Sequence, residues 1–278
     1  MSQLLNPPLV SIFLASFNRA HLIGETLDSI LNQTYTNWEC YIIDDNSTDT
    51  TERFLHENYI NKDTRFKFFK KDISKYIKGL ADSRNMSLDI ARDNNVEYLQ
   101  FFDDDDIMHP QKFELQMKPF VEDPNLDMSV CMYRKFGEIE TIDFDLDRCD
   151  DKSCNITSTH LFWDFYKNKI NLNSLGPIWK MSSIKSFNFD KTLNIGEEKD
   201  FYLRVFLKKN IKYKPVNSIL FWYRKHTISV TKGTTIDSFL ASKSMLRSQQ
   251  KIRLLIVFAP NIQFVKRLKT LFYYFRNS

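Results

Sequence analysis

Four consecutive carboxylates close an apolar run in YLQFFDDDDIMHP, residues 98–110. Neighbouring unit charges about 5 Å apart repel by roughly 3 kcal/mol at an effective dielectric of 20, so something must relieve the cluster. A solvated turn relieves part of that repulsion, and a bound divalent cation relieves more. In an extended chain alternate side chains share a face, which would point Asp103 and Asp105 one way and Asp104 and Asp106 the other. A pair on one side suits a hard cation with oxygen ligands, Mn2+ or Mg2+.

Rival readings of the run can be weighed residue by residue. A calcium-binding EF-hand loop starting at Asp103 would have Glu114 at its twelfth place, but Met108 stands where the sharp turn needs glycine. A haloacid-dehalogenase-like phosphatase would use Asp103 as nucleophile after its first strand, whereas three strands are expected upstream here. The solvated turn stays open on the run alone.

The elements around the run decide where it sits. Leu9 to Ala15 reads as a buried strand, followed by a helix on Leu22, Ile23, Thr26, Leu27, Ile30 and Leu31 with its cap near Asn18 to His21. CYIIDD, residues 40–45, is a second strand ending in Asp44 and Asp45, and Asn46-Ser47-Thr48 supplies caps for a helix through about Tyr59. Arg65 to Lys70 is a third strand. A helix over 80–94 is expected to turn Leu80, Met86 (with Ser83 and Ser87 beside it), Ile90 and Ala91 inward, and a fourth strand over 96–102 delivers the acidic run. A helix to about Glu122, a strand over 128–133, a helix over 198–209 and a strand over 211–223 broken at Pro215 complete the pattern. Strands alternating with helices imply a parallel α/β sheet, in which ligands bind beyond the carboxyl ends of the strands. Asp44, Asp45 and Asp103 to Asp106 all fall there.

Hydrophobic residues make up 42% and charged residues 27% of the 278, the balance of a globular protein. No signal peptide is read at the N-terminus, and the longest apolar run, Leu254 to Pro260, is too short to span a bilayer. Four scattered cysteines are expected as free thiols; Cys149, Cys154 and His160 lack a fourth partner for zinc. Six glycines, none in a phosphate-cradling pattern, exclude a glycine-rich nucleotide loop. Net charge is +4, yet Leu240 to Ser278 holds eight basic and no acidic residues, leaving 31 basic against 35 acidic in residues 1–239. A nucleic-acid partner is not expected, since the body is acidic and no recognition motif occurs.

SIFLASFNRAHLIGETLDSILNQTYTNWECYIIDDNSTDTT, GLADSRNMSLDIA and FFDDDDIMHPQKFE, followed by IGEEKDFYLRV and YRKHTISV, together resemble the family 2 glycosyltransferases over about residues 8–232. The resemblance implies a GT-A fold, a Rossmann-like, mostly parallel nucleotide-binding sheet with helices on both faces. It also implies an inverting transfer from a nucleotide sugar, with UDP the expected nucleotide, to a saccharide or lipid-linked saccharide. Surface-polysaccharide or lipooligosaccharide assembly is the expected setting. A nucleotide-sugar-binding protein that has lost transfer is the other reading.

Site roles follow from that resemblance. Ala15 and Phe17 would line the nucleotide pocket, Asp45 (or Asp44) would accept hydrogen bonds from the base, and Arg84 would hold the nucleotide unless it is a surface residue. Asp103 to Asp105 matches the Asp-x-Asp motif: Asp104 would sit near the ribose, and Asp105, with Asp103, would bind the metal. His226 matches a histidine some relatives place near the metal or diphosphate. The motif places an aspartate base where this chain has Glu198, with Glu197 the alternative and Asp200 behind it; the competing role for all three is to complement a helix dipole.

Two parts are expected: a transferase domain over 1–235 and a basic amphipathic helical extension over 236–278. On one face of that extension lie Phe264, Val265, Leu268, Leu271, Phe272 and Phe275, with Lys266, Arg267, Lys269 and Arg276 around them. Such a helix suits an anionic membrane surface, or packs on protein. The expected location is cytoplasmic, peripheral on the inner membrane's cytoplasmic face if the tail binds lipid.

Overall fold

The computed structural model describes residues 7–137, 141–146, 155–193 and 195–225. The extension over 236–278, His226, Cys149 and Cys154 lie outside these residues.

Strands β1 (Val10–Ser16), β2 (Trp38–Asp44) and β3 (Phe66–Lys70) alternate with helices α1 (Ile23–Leu31) and α2 (Thr51–Leu55), the latter running into a π-helical turn, His56–Ile60. Helix α3 (Leu80–Asp93) leads to β4 (Tyr98–Asp103), and after the acidic turn come β5 (Ile107–Met108) and α4 (Lys112–Glu122). Then follow β6 (Met128–Phe136), α5 (Leu161–Tyr166), β7 (Pro177–Lys180), α6 (Met181–Ile184), α7 (Glu197–Lys208) and β8 (Tyr213–Arg224). Together they form one eight-stranded sheet in the order β3-β2-β1-β4-β7-β6-β8-β5. The first four neighbours are parallel, β7 runs antiparallel to both β4 and β6, and β8 returns parallel to β6.

The parallel half is the nucleotide-type half the alternation predicts. Its inner strands are buried on both faces, which is why β1 and β4 read as near-continuous apolar runs. Phe13 stacks on Tyr41 at 4.7 Å between ring centroids across the β1–β2 pair. The register sets Ala15 opposite Asp103 and Ser16 opposite Asp44, so the acidic strand ends lie in one row.

Several local expectations are corrected. Neither α1 nor α2 takes a side-chain cap from the predicted residues. Asn18 and Asn46 adopt left-handed backbone (φ 55 and 60) and tie loops together: Asn18 Oδ1 accepts from Thr48 N at 2.8 Å, and Asn46 Nδ2 donates to Lys71 O at 3.0 Å. Asp49 accepts from Thr51 N instead. Leu80, at the first turn of α3, is 39% exposed, while Asp82, Ser83 and Arg84 are buried. Strand β8 runs unbroken through Pro215, because in that stretch β6 is its one partner and β5 reaches only Phe221 and Trp222. The antiparallel β7 and the two-residue β5 were not foreseen; both are too short to show a period. Among the described residues no helix is long and apolar enough to cross a membrane.

Candidate functional site

The acidic run is a turn, not an extended strand, and its four side chains go to different places. Asp103, the last residue of β4, accepts from Arg84 Nη2 at 3.2 Å. Asp104 accepts from Arg19 Nε at 3.2 Å, and Asp105 Oδ2 lies 3.7 Å from Arg19 Nη2. Asp106 is fully buried and accepts from the backbone N–H of Arg224 at 2.7 Å. The expected alternation therefore fails: Asp104 and Asp105 share one guanidinium, and Asp106 is built into the sheet beside β8. Arg224 also donates from Nε to Asp105 O at 2.8 Å and from Nη2 to Glu25 at 2.6 Å, stitching the turn to α1.

The turn is short of positive charge. Burial pushes Asp104 up to about 7, with Asp105 adding to the rise and Arg19 opposing it. Burial raises Asp103 as well, against the pull of Arg84, and raises Asp106 well above the usual carboxylate range, with Asp105 and Asp103 adding. One Asp106 oxygen has no hydrogen-bond partner. This oxygen-rich, under-neutralised set fits a hard divalent cation. Among the described residues no three His, Cys, Asp or Glu side chains group as a metal cage. Asp103 and Asp105, close enough to raise Asp103's carboxyl, fit the common arrangement in which one or two carboxylates share Mg2+ or Mn2+ with substrate phosphates.

Arg84 links this turn to the second carboxylate pair. It is 3% exposed, so the surface alternative is overturned. Nη1 donates to Glu197 Oε1 at 3.1 Å and Nη2 donates to the Ser174 hydroxyl at 2.9 Å, besides the bond to Asp103. Helix α7 starts at Gly196, whose φ of 82 is left-handed backbone that a β-carbon would strain. That turn sets Glu197 and Glu198 at the first positions of α7, where the helix dipole favours negative charge. Burial drives Glu198 up to about 7; Arg84 pulls the other way, Glu197 adds, and the Ser174 hydroxyl opposes through a hydrogen bond. Burial raises Glu197 too, against Arg84. Asp200 is drawn away by Arg204, whose Nη2 lies 2.7 Å from its Oδ2, so it stands apart from the pair.

At the end of β2, Asp44 is fully buried and accepts from Ser47 N at 3.0 Å. Asp45 forms an ion pair with Lys71, whose side chain is fully buried, and accepts from Gly79 N at 2.8 Å. Gly79 has φ 122, a left-handed value that again requires glycine, and it opens α3. Ala15 and Phe17 lie partly exposed at the same edge, with Lys78 Nζ 3.9 Å from the Phe17 ring centre. The sheet thus gathers Ala15, Asp44, Asp45, Arg84, Asp103, Asp104, Asp105, Glu197 and Glu198 around one edge. Arg19, Lys71, Ser174 and Arg224 were missed by sequence reasoning. Only Arg19, in SFNRAHL just past β1, carried a local signal, its place in a loop at a strand's carboxyl end.

A small cavity lined by His160, Phe162, Trp163 and Phe206 sits at the other end of α7 and shares none of these residues.

Comparison with known proteins matches residues 11–192 to the family Glycosyl transferase family 2. Chondroitin synthase from Escherichia coli is 29% identical over 219 residues, covering 77% of this chain and 28% of that protein. The E. coli UDP-Glc:alpha-D-GlcNAc-diphosphoundecaprenol beta-1,3-glucosyltransferase WfgD is 38% identical over 109 residues, 39% of this chain and 40% of that protein. The chain therefore spans well under half the length of these relatives. In structure it is similar to S. aureus TarS 1-349 in complex with UDP-GlcNAc, with TM-score 0.71, 19% identity, and coverage of 96% of this chain and 71% of that one. The mannosyltransferase PcManGT from Pyrobaculum calidifontis, in complex with GDP-Man and Mn2+, gives TM-score 0.60 at 14% identity, covering 89% and 64%. These likenesses establish the GT-A fold expected from the sequence, and the phosphatase reading of Asp103 falls with them. With its sheet, its acidic strand ends and the family match over residues 11–192, the chain belongs to glycosyl transferase family 2.

Proposed function

We propose that the chain is a metal-dependent, inverting glycosyltransferase that moves a sugar from a UDP-linked donor to a saccharide or lipid-linked saccharide. The observation that carries this reading is Arg84, buried and bonded at once to Asp103 of the acidic turn and Glu197 of α7. It joins the edge suited to a diphosphate to the carboxylates suited to an acceptor.

In this reading Asp45, steadied by Lys71 and Gly79, accepts from the base, while Ala15 and Phe17 line its pocket. Asp104 faces the ribose, and Asp103 and Asp105 hold Mn2+ or Mg2+, with His226 a further candidate ligand. When bound, the ion stabilises negative charge on the departing nucleoside diphosphate. Glu198 takes the proton of the acceptor hydroxyl. Its rise to about 7 suits a base working near neutral pH, and Ser174 orients it. Glu197, neutralised by Arg84, is the poorer base.

The names of the relatives agree with a nucleotide-sugar donor and a polysaccharide or lipid-linked product. The transferase unit is assigned to residues 1–235, and 236–278 to an extension that docks on an anionic membrane surface at the cytoplasmic face. The deciding experiment is a panel of nucleotide sugars tested for thermal stabilisation and donor hydrolysis with and without Mn2+. A UDP-sugar should stabilise the chain and be hydrolysed only with the metal. If no nucleotide sugar binds with either metal, the reading fails; metal-dependent binding with no turnover on any acceptor would assign a transfer-inactive binding protein.

A further inference from the structure

Arg19 sits on the two carboxylates that the reading above gives to ribose and metal. Its backbone is fixed: Arg19 N donates to Thr51 Oγ1 at 2.9 Å, Arg19 O accepts from Leu22 N and Ile23 N at 2.9 and 3.0 Å, and Asn18 N donates to Ser47 Oγ at 2.9 Å. The head of the side chain is not fixed in the same way. It is 34% exposed and spreads its guanidinium over two carboxylates, with Nε 3.2 Å from Asp104 and Nη2 3.7 Å from Asp105. Partly exposed ion pairs of this kind are weak and exchangeable. Arg84, in contrast, is buried and engaged on three sides.

Arg19 divides its guanidinium between Asp104 and Asp105, while Arg84 is held by Asp103, Ser174 and Glu197, and Arg224 by Glu25 and the backbone of Asp105. A divalent ion approaching Asp105 meets Arg19 as a like charge at the same oxygens. A diphosphate changes that balance. It offers Arg19 pairs of phosphate oxygens that a planar guanidinium can engage bidentately, and other oxygens of the diphosphate are free to coordinate the ion.

We propose that Arg19, paired with Asp104, is an internal counter-ion that shields Asp105 from divalent metal in the nucleotide-free chain and passes to the donor's diphosphate when it enters, so that metal and donor bind as a linked pair. The inference rests on the reading of the acidic turn as a metal and diphosphate site. Arg19 is a positioning residue here; it acts through the carboxylates it releases. Linkage requires the effect to be reciprocal, with the metal strengthening nucleotide binding by the same factor as nucleotide strengthens metal binding.

The test is direct binding without turnover. Mn2+ affinity is measured by electron paramagnetic resonance for the full chain, alone and with saturating UDP, in wild type, Arg19→Gln and Arg19→Lys. Wild type should bind Mn2+ weakly alone and about tenfold or more tighter with UDP, within the usual range of coupling. Arg19→Gln should bind Mn2+ alone several-fold tighter than wild type and lose most of the UDP effect; Arg19→Lys, still cationic, should keep part of it. Equal Mn2+ affinity without nucleotide in wild type and Arg19→Gln, with undiminished coupling, would overturn the proposal while leaving the metal site standing. Wild type that binds neither Mn2+ nor UDP would instead remove the site reading on which it rests. Matching circular dichroism and melting curves identify a folded variant, which the backbone anchoring of Arg19 favours.

Discussion

Arg84 and Glu197, separated by 113 positions in sequence, meet at 3.1 Å between Nη1 and Oε1. The contact joins α3, which packs on β1 and β2, to the first turn of α7. Removing the guanidinium would leave the buried Glu197 and the half-buried Asp103 without their cation. Arg84→Ala should therefore lower stability by about 3–5 kcal/mol, read from the urea midpoint. Arg84→Lys should recover only part of this, because a point charge cannot span Asp103, Ser174 and Glu197 together.

Glu198→Gln should abolish sugar transfer, with a loss of about a hundredfold or more, while UDP affinity measured by calorimetry stays unchanged. Gln keeps size and hydrogen bonding and removes only proton acceptance. Retained turnover would place the base elsewhere, with Glu197 next in line.

The Asp45–Lys71 pair is a second buried contact whose loss should be large and whose joint replacement should be mild. Lys71→Met should destabilise by about 3 kcal/mol by stranding the carboxylate. Adding Asp45→Asn to that variant should restore a good part of the loss, since a neutral amide needs no counter-ion. A double-mutant cycle in urea measures the coupling; simple additivity would show that the two side chains do not depend on each other.

Stability should fall as pH rises through the carboxylate window. Glu198 and Asp104 are raised to about 7 in the fold, from ordinary values of 4.5 and 3.8. Between those limits the folded chain holds more protons than the unfolded one, so raising pH favours unfolding and the cost is complete above about 7. His109, whose imidazole burial holds below its ordinary range, acts in the opposite sense at the acid end. The difference between wild type and Glu198→Gln isolates the carboxylate. Without divalent ions, wild type should lose stability relative to that variant from about pH 4.5 to about pH 7 in thermal melts, and a constant difference would contradict the assigned burial.

The parallel half of the sheet was legible because β1, β2 and β4 are buried on both faces and so appear as apolar runs, of which β2 and β4 end in carboxylates. That is why Asp44, Asp45 and Asp103 could be placed at strand ends before any coordinates. The antiparallel half was not: β7 is four residues and β5 two, and neither length carries a period. The burial of Arg84 was hidden for a different reason. Its neighbours Asp82 and Asn85 give α3 a polar look, while its partners come from β4, from α7 and from Ser174 in a loop. Asp106 looked like one of four equal acids; its partner is a backbone N–H on a strand 118 positions later, which no local pattern announces.

That last bond sets an order on how the protein comes into being. During synthesis the acidic turn emerges long before residue 224, the residue that grips Asp105 and Asp106 from β8. A growing chain can assemble the β1–β4 sheet, with Arg84 on Asp103 and Arg19 on Asp104, before the bonds from Arg224 can form. Only when β8 lies beside β6 can Arg224 bond Asp106 and the backbone of Asp105. The shape of the turn is therefore completed by a residue made long after the strands that carry it.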